Sequence, residues 1–522
     1  MQDSSRMVRH ALLMMMGTFV SRILGLAREV VTAAFFGASG RLDAFNVAYT
    51  LANLARQLVA EGALSAAFVP VFSRALLESR ARALSLARQA MSVLIFASLA
   101  VTVVGMIGAP LLTLIMAPGF DAETSLLTTS LTRWMFPFLF LISMAALAMG
   151  TLNSLGAFFV PALAPAFSNL IFILSAPFLV RRFGVHGLAV AVLLGGGMHF
   201  SSQWIWSRHI GASLVPERPD FADADLRKML LLFLPYAAGL SLNQVNPVVS
   251  RMLGSFLEEG SISVLNYANR IVQLPLGLFV IAISQAVLPQ LSRAGTPHRF
   301  VSTIGEALRF ALFIVLPATV GLVMISSPFV HVIFVRGAFG DQAWNATSWA
   351  LVLSVLGLPG MACSTVVIRG LYALSMPKAA FITTFFSVGS TALLSFLLMF
   401  PMGYGGPALA PGVAFTLSGM LGLYFIKRKI EATAQAQTQG NEDPPVRLRV
   451  VSMAWTCGII VALALMAAAL SLYMTLIPYR VHLGLGLRAA WCLGAMLTGV
   501  AVYAAATLTL KFDEWQWIKG AL

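Results

Sequence analysis

The amino-acid sequence predicts an all-α integral membrane protein with 14 membrane-spanning helices. Of its 522 residues, 59% are hydrophobic and only 10% are charged, whereas soluble domains carry about 25% charged residues. The apolar runs are continuous rather than alternating, which favours helices over strands, and helices satisfy their own backbone groups in lipid. This composition excludes a soluble globular protein, a disordered chain and a disulfide-stapled domain.

The predicted spans are apolar runs that end at polar or charged residues. Arg6 and Arg9 precede the first run, as in a signal peptide, but Arg22 and Arg28 follow at once and no small-residue cleavage site appears. We therefore expect the first run to be a retained helix. The predicted spans are 10–37, 43–73, 88–117, 127–152, 159–180, 185–207, 228–250, 262–291, 301–335, 343–371, 379–400, 408–426, 450–477 and 486–510.

The basic residues predict the orientation of the chain. An even number of spans puts both termini on one side of the membrane. If that side is the cytoplasm, 20 of the 34 Lys and Arg residues lie in cytoplasmic segments and 7 in outer segments, as the positive-inside rule expects. The pair Arg181 and Arg182 runs against this bias. The net charge of +14 is thereby assigned to membrane orientation, and no nucleic-acid partner is expected.

A short internal sequence repeat predicts two lobes of parallel orientation. Ala67–Ala75 (AFVPVFSRA) and Ala286–Ala294 (AVLPQLSRA) share five of nine positions, and each ends the second helix of a six-helix set. Transporters are often built from two such halves. The polar segment Ile430–Val446 is predicted to be a flexible linker. The predicted organisation is an N-lobe at 1–215, a C-lobe at 216–429, a cytoplasmic linker at 430–449 and two final helices at 450–522.

The second predicted span carries a polar stripe along its whole length. The stripe is about 27 Å long, close to the hydrocarbon thickness of a bilayer, so one face of this helix is expected to border water from leaflet to leaflet. The alternative is a helix packed on others by buried amide pairs. At 100° per residue, an arc of about 80° contains Asp43, Asn46, Asn53, Gln57 and Glu61.

Seven arginines lie within or near the ends of the predicted spans. An arginine at the bilayer centre costs about 2.5–3.5 kcal/mol, so each must snorkel, pair or line a wet cavity. Three of them lie near enough to span ends to snorkel, namely Arg133, Arg309 and Arg369. The other four are predicted to line a cavity: Arg22, Arg28, Arg56 and Arg270.

Two predicted spans surround these arginines with small or polar residues. In the first span, Gly25 lies between Arg22 and Arg28 and leaves room there, and Glu29 balances their charge. In the eighth span, Pro275 predicts a kink. That span also groups polar residues within an arc of about 100°: Asn266, Asn269, Arg270 and Gln273.

These residues predict an anion-binding cavity rather than a catalytic centre. The guanidinium fork matches phosphate oxygens bidentately, so a cavity with more arginine than carboxylate would most naturally bind a phosphate or diphosphate. The sequence contains no P-loop, no HExxH motif and no Asp-rich metal motif, and His199, the one deep histidine, is interpreted as structural. We expect no enzyme activity, no metal and no cofactor.

Several of these segments together resemble a known family. Ser21–Glu29 (SRILGLARE), Asp43–Ala48 (DAFNVA), Asn53–Arg56 (NLAR), Glu61–Ser65 (EGALS) and Tyr267–Arg270 (YANR) are similar to the MurJ (MviN) lipid II flippases of the MOP exporter superfamily. The resemblance implies two six-helix lobes around a cationic cavity and a lipid-tail groove formed by the last two helices. It also implies the cell inner membrane and a role in peptidoglycan biosynthesis, cell-wall biogenesis and cell shape.

The resemblance further implies a substrate and a site. The substrate would be lipid II, undecaprenyl-diphosphate carrying the peptidoglycan disaccharide-pentapeptide, with membrane lipids and cell-wall synthesis proteins as further candidate partners. The family's acidic positions in the second helix fall on Asp43 and Glu61. Its cavity arginines fall on Arg22, Arg28, Arg56 and Arg270.

The chain departs from the family pattern at several positions. Gln57 stands where an arginine often follows Arg56, and Asn269 and Gln273 stand where acids can occur. The family's sodium site uses carboxylates in the seventh and eleventh helices, and here those helices carry no acid. The seventh has Asn243, Gln244 and Asn246 instead. Sodium coupling through that site is therefore not expected, and coupling to the membrane potential or to another monovalent ion stays open.

The sequence thus predicts a flippase that moves lipid II outward by alternating access, with Gly25 and Pro275 as candidate hinge residues. One alternative is another MOP exporter, such as an O-antigen-type flippase or a drug exporter. A cation exporter would need an acidic cavity, but only about three carboxylates lie in the predicted spans. Another alternative is a scaffold of the cell-wall machinery, which gives no reason for a polar stripe across the membrane.

Overall fold

The computed structural model describes residues 2–57, 64–241, 245–294, 296–437 and 452–521. These ranges are folded into helices joined by short connections. In the first half the helices are α1 (Gln2–Phe36), α2 (Gly40–Arg56), α3 (Leu64–Glu78), α4 (Arg80–Ile107), α5 (Ala109–Met116), α6 (Ala122–Met135), α7 (Pro137–Ser154), α8 (Phe159–Phe183), α9 (His186–His209), α10 (Ala224–Ser241) and α11 (Val245–Gly254).

The second half continues in the same way. Its helices are α12 (Ser261–Pro275), α13 (Ile281–Ser292), α14 (Pro297–Phe334), α15 (Asp341–Leu356), α16 (Leu358–Ala373), α17 (Pro377–Met402), α18 (Gly405–Gln437), α19 (Met453–Leu476), α20 (Leu485–Thr509) and α21 (Glu514–Ala521). α18 extends to Gln437, into the segment that the sequence predicts to be a linker, and 438–451 lies outside the described residues.

Within the described residues, nine helical segments are long and apolar enough to cross a membrane, and the bent pair α15 and α16, with 41° between its members, would be a tenth. The chain is therefore an all-helical, multi-span membrane protein. The other four predicted spans correspond to α1, α2 with α3, α10 with α11, and α12 with α13. The predicted cavity residues that the structure describes lie on α1, on α2 or directly after it, and on α12.

Two of the breaks between helices coincide with a proline. A proline lacks the amide hydrogen and clashes with the preceding turn, so it bends or ends a helix. Pro137 begins α7 directly after the break at Phe136. Pro275 is followed by a π-helical turn at Leu276–Val280 before α13 begins. The kink predicted at Pro275 therefore coincides with an irregular backbone.

The chain divides into two compact units. The first comprises Met1–Ser263 together with Arg336–Phe339, and the second comprises Val264–Val335 and Gly340–Leu522. In the first unit, α8 packs on α1 and α9, α7 on α9, and α6 on α2. In the second, α18 packs on α16 and α17, while α14 packs on α15, α16, α19 and α20. The predicted lobes at 1–215 and 216–429 stay a prediction.

Candidate functional site

Arg28 on α1 is held by residues of three helices in the first unit. Its Nη1 donates to the hydroxyl of Tyr49 on α2 at 3.1 Å, and its Nη2 donates to Oε1 of Glu29 at 3.1 Å. The guanidinium also stacks on two rings, with its Cζ 5.0 Å from the centroid of Tyr49 and 5.5 Å from that of Phe172 on α8. A charge within the spans is thus neutralised by one carboxylate and enclosed by aromatic faces.

Arg56 lies beside this group at the other end of α2. Its Nε donates to Oδ1 of Asn53 at 2.8 Å. Its charge acts electrostatically on Tyr49 and on His199 of α9, and the charges of Arg28 and Arg56 act on each other. α1, α2 and α9 therefore bring two arginines and a histidine together, and Arg28 forms an ion pair with Glu29. We call Arg28, Tyr49, Asn53, Arg56 and His199 the arginine site.

The other predicted cavity residues have different surroundings. Arg22 is half-buried and makes no hydrogen bond or ion pair with any residue in the described ranges. Gly25 is buried and Gln57 is half-buried. Glu61 lies outside the described residues, as do Asn243 and Gln244. On α12, Asn266 and Arg270 are half-buried, whereas Asn269 and Gln273 are exposed. Arg270 belongs to the second unit, whereas the arginine site belongs to the first.

At its Asp43 end, the polar stripe of α2 is buried rather than wet. Only 2% of Asp43 and 6% of Asn46 is exposed. The carboxylate of Asp43 accepts from the backbone amides of Gly260 at 2.8 Å and Ser263 at 2.7 Å, and Asn46 Nδ2 donates to the Ser263 hydroxyl at 3.1 Å. The sequence expectation of water along the whole stripe therefore differs from the structure, because the start of α12 covers this half of it.

The sequence analysis missed Tyr49 of the arginine site and Arg251, which contacts the polar stripe of α2. Tyr49 precedes Asn53 by four residues and Arg56 by seven, so helical periodicity places all three on one face and could have identified it. Arg251 is one of the seven basic residues that the predicted orientation puts in outer segments, but it lies within α11, where its Nε donates to Thr50 Oγ1 at 3.1 Å. Its charge acts on Asp43 and Glu29. A predicted span only slightly longer than 228–250 would have included it.

The second unit contains an apolar cavity of about 510 Å³. It is lined by the end of α12 together with the irregular segment that follows, and by α14, α19, α20 and α21. Pro275 and Phe279 contribute from the first of these elements, Phe313 from α14, Met466 from α19 and Trp515 from α21. Its lining is almost wholly carbon, so it suits a hydrocarbon chain rather than a polar ligand. We call it the apolar cavity.

The described residues contain no group of three or more His, Cys, Asp or Glu side chains that could hold a metal ion. Polar helices with membrane-embedded arginines, set in a frame of long apolar helices, are typical of membrane transporters. The fold and the arginine site together indicate the class of membrane transporters.

Comparison with known proteins identifies the family. The family model "Lipid II flippase MurJ" matches residues 32–509. A probable lipid II flippase MurJ of Rhizobium tropici is 36% identical over 419 residues, covering 77% of this chain and 78% of the relative. Another probable lipid II flippase MurJ, of Rhizobium meliloti (strain 1021), is 30% identical over 505 residues, which cover 94% of this chain and 91% of the relative. The chain belongs to the lipid II flippase MurJ family, whose members are transporters and not enzymes.

Solved structures agree with this assignment. A structure described as lipid II flippase MurJ in an inward closed conformation matches with a TM-score of 0.77 and 26% identity, covering 96% of this chain and 99% of that one. An inward-facing multidrug resistance MATE family transporter of the MOP superfamily matches with a TM-score of 0.68 at 18% identity, covering 83% and 100%. The second likeness concerns the fold alone. The family predicted from the sequence is thus confirmed.

Proposed function

We propose that this protein carries lipid II from the inner to the outer leaflet of the bacterial cytoplasmic membrane by alternating access. The observation that carries the proposal is the arginine site, where the charges of Arg28 and Arg56 act on the same tyrosine and on each other. A diphosphate brings at least two negative charges and many acceptor oxygens. It would therefore be attracted by both guanidinium groups at once and could accept several of their N–H donors.

The chemistry favours a diphosphate over a cationic drug. Each guanidinium presents five N–H donors in a planar fork that matches phosphate oxygens. Arg56 commits its Nε to Asn53, which fixes the orientation of the fork. In the proposal, Arg22 of the same unit adds its charge to the anion. A cationic solute would meet like charges here, at a cost that rises as water is excluded.

The apolar cavity supports the lipid part of the proposal. We propose that it receives part of the prenyl chain, so that α19 and α20 form the tail groove implied by the resemblance. The proposed topology has 14 spans, two six-helix lobes of parallel orientation and both termini in the cytoplasm. Exposure of the site would change by movement of the lobes, with Gly25 and the irregular segment after Pro275 as compliant points.

The hydrogen bonds of Asp43 support alternating access. They join α2 to the start of α12 and bury this end of the polar stripe, which is expected of a transporter that is closed on one side. Breaking them would let water reach the stripe. Coupling to the membrane potential, at about 2.3 kcal/mol per charge per 100 mV, would bias movement of an anion outward.

The test is transport of lipid II by the Arg56→Gln variant in reconstituted vesicles, read as lipid II that becomes accessible in the opposite leaflet. Charge-assisted hydrogen bonds contribute about 1.5–3 kcal/mol, so initial export should fall at least about tenfold. Arg133→Gln is the matched control, because Arg133 is exposed and only its Nε contacts a backbone carbonyl, that of Met106 at 3.3 Å. Equal export by both variants, at equal protein levels, would refute the diphosphate site.

A further inference from the structure

A basic and aromatic cluster lies at the Phe334 end of α14 in the second unit. We call it the His331 cluster, and it consists of His331, Trp344, Tyr479, Arg488 and Trp491. His331 is in the last turn of α14, Tyr479 follows the end of α19, and Arg488 and Trp491 lie in the first turns of α20. The resemblance assigns no role to these residues, and the arginine site does not include them.

The members of the cluster are in direct contact. The Nδ1 atom of His331 lies 2.6 Å from the hydroxyl of Tyr479 and 3.1 Å from Nη1 of Arg488. The ring of Trp344 packs on His331 with 4.6 Å between centroids, and the ring of Trp491 packs on Tyr479 at 5.0 Å. The imidazole of His331 therefore links the guanidinium of Arg488 to the hydroxyl of Tyr479, and the two tryptophan rings pack on His331 and Tyr479.

The indole N–H groups of the two tryptophans have hydrogen-bond acceptors, but the guanidinium of Arg488 keeps a donor without one. Trp344 Nε1 donates to the carbonyl of Ser327 at 2.8 Å, and Trp491 Nε1 donates to that of Ile477 at 2.6 Å. Arg488, by contrast, makes no ion pair within the described ranges, and its buried Nε has no acceptor. Asp341 is the acid whose charge acts on His331. A buried donor without an acceptor costs about 1–3 kcal/mol, which an anionic oxygen would relieve.

Tyr479 adds a neutral donor to the cluster. It lies in the connection between α19 and α20, and burial raises the pKa of its hydroxyl to about 12. The hydroxyl therefore keeps its proton at any physiological pH. A phosphate oxygen would therefore meet the guanidinium of Arg488, which is always charged, with no negatively charged phenolate beside it to repel it.

The apolar cavity ends close to the cluster. Phe329 and Ile325 line the cavity from α14, two and six residues before His331. Ala495 lines it from α20, seven residues after Arg488, which is about 10 Å along the helix axis. A lipid whose phosphate lay against Arg488 would therefore have its hydrocarbon chain directed along the cavity wall.

We propose that the His331 cluster is a second lipid-phosphate site, which binds the phosphate of a lipid whose chain occupies the apolar cavity. The phosphate belongs either to the polyprenyl diphosphate or to an anionic phospholipid, and only the first source rests on the proposed function. Arg480 lies in the same connection as Tyr479 and provides a comparison. Its side chain is exposed to solvent and contacts no residue of the His331 cluster.

The experiment is native mass spectrometry of the full-length purified protein titrated with three probes: undecaprenyl diphosphate, phosphatidylglycerol and diacylglycerol. Arg488→Gln should weaken binding of at least one phosphate lipid about tenfold, or 1.4 kcal/mol. Diacylglycerol, which has no phosphate, should bind as before. Arg480→Gln is the matched control and should bind all three probes like the unmodified protein. The probe that responds to Arg488→Gln identifies the source of the phosphate.

Unchanged binding of both phosphate lipids by Arg488→Gln would overturn the site, and so would an equal loss of diacylglycerol, which would indicate a structural role. If Arg488→Gln does not purify in folded form, Arg488→Lys takes its place, because lysine keeps the positive charge but lacks the planar set of guanidinium donors. A severalfold loss is then expected, and no loss would overturn the site. Arg56→Gln separates this proposal from the proposed function. Loss of undecaprenyl diphosphate binding there, with none in Arg488→Gln, rejects only the cluster as its site.

Discussion

The carboxylate of Asp43 caps the start of α12 from another helix, accepting from the Ser263 amide at 2.7 Å and from the Ser263 hydroxyl at 2.6 Å. The amide of Gly260 completes the arrangement at 2.8 Å. An N-cap normally comes from the residue that precedes its own helix. Here α2 supplies it, so the unpaired amides and the positive end of α12 hold a buried anion. The cap therefore couples the position of α2 to that of α12.

Replacing Asp43 should loosen this end of the molecule. Asp43→Asn removes the charge and one acceptor oxygen, so α12 should separate from α2 more often. Val47 on α2 is fully buried and packs in the same apolar cluster as Ile262 of α12, so Val47→Cys reports the separation. In a chain whose Cys363, Cys457 and Cys492 are replaced by Ser, we expect Val47→Cys to react severalfold faster with a water-soluble maleimide when Asp43→Asn is present.

Asp121→Asn is the control for this measurement. Asp121 also caps a helix, but its own, through the amide of Thr124 at 3.3 Å, and it is exposed. The same change of charge there should leave labelling of Val47→Cys unaltered. Equal labelling rates in the Asp43→Asn chain and in its parent would contradict the role of Asp43 as a closing contact.

Gly260 is predicted to tolerate no side chain. Its φ of +85° is rarely adopted by other residues, and an added Cβ would lie 2.6 Å from the carbonyl oxygen of Ala38. In Gly260→Ala, the left-handed backbone conformation should therefore cost about 1–2 kcal/mol of folding stability. In addition, the new methyl group should push the start of α12 away from the α1–α2 connection. Gly156→Ala isolates the second effect, because Gly156 has a φ of +79° and nothing within 4 Å of the added atom. The midpoint of thermal unfolding should fall further for Gly260→Ala, and equal midpoints would refute the close approach.

Tyr49 is predicted to position Arg28. Tyr49→Phe keeps the ring under the guanidinium but removes the hydroxyl that accepts from Nη1. One such bond contributes about 1 kcal/mol, so lipid II export should fall severalfold while the thermal midpoint changes little. The exposed Tyr424 provides the control Tyr424→Phe. Export that is the same in both variants would show that the hydroxyl does not contribute to the site.

Filling the apolar cavity should impair transport without disturbing the arginine site. Gly499 lines the cavity. A Cβ added there would meet only the ends of flexible side chains, namely the terminal methyl group of Met466 at 3.2 Å and the two methyl groups of Leu470 at 3.4 and 3.5 Å. Gly499→Leu should therefore be accommodated and should occupy space meant for a prenyl chain. Gly486→Leu, on the same helix with nothing near its added atom, is the control. We expect lipid II export to fall severalfold in Gly499→Leu alone, and export equal to that of the control would exclude the cavity as a tail site.

Much of the site follows from the sequence because its rules are local. Charged residues in apolar runs, the period of 3.6 residues and the energetic penalty of arginine in lipid single out Arg28 and Arg56 and put Asn53 on their side of α2. The resemblance carried by Ser21–Glu29 and the segments that follow it gives the family. Proline position alone indicates the irregular backbone after Pro275.

Only the tertiary structure decides which partners these residues receive. Asp43, predicted to face water, is instead bonded to Ser263, which is 220 residues away along the chain. Arg251 turns out to reach Thr50, and Phe172 covers Arg28. Helical periodicity fixes the direction of a side chain about its own axis, whereas the identity of its neighbour depends on how distant helices pack, and no spacing within one helix encodes that.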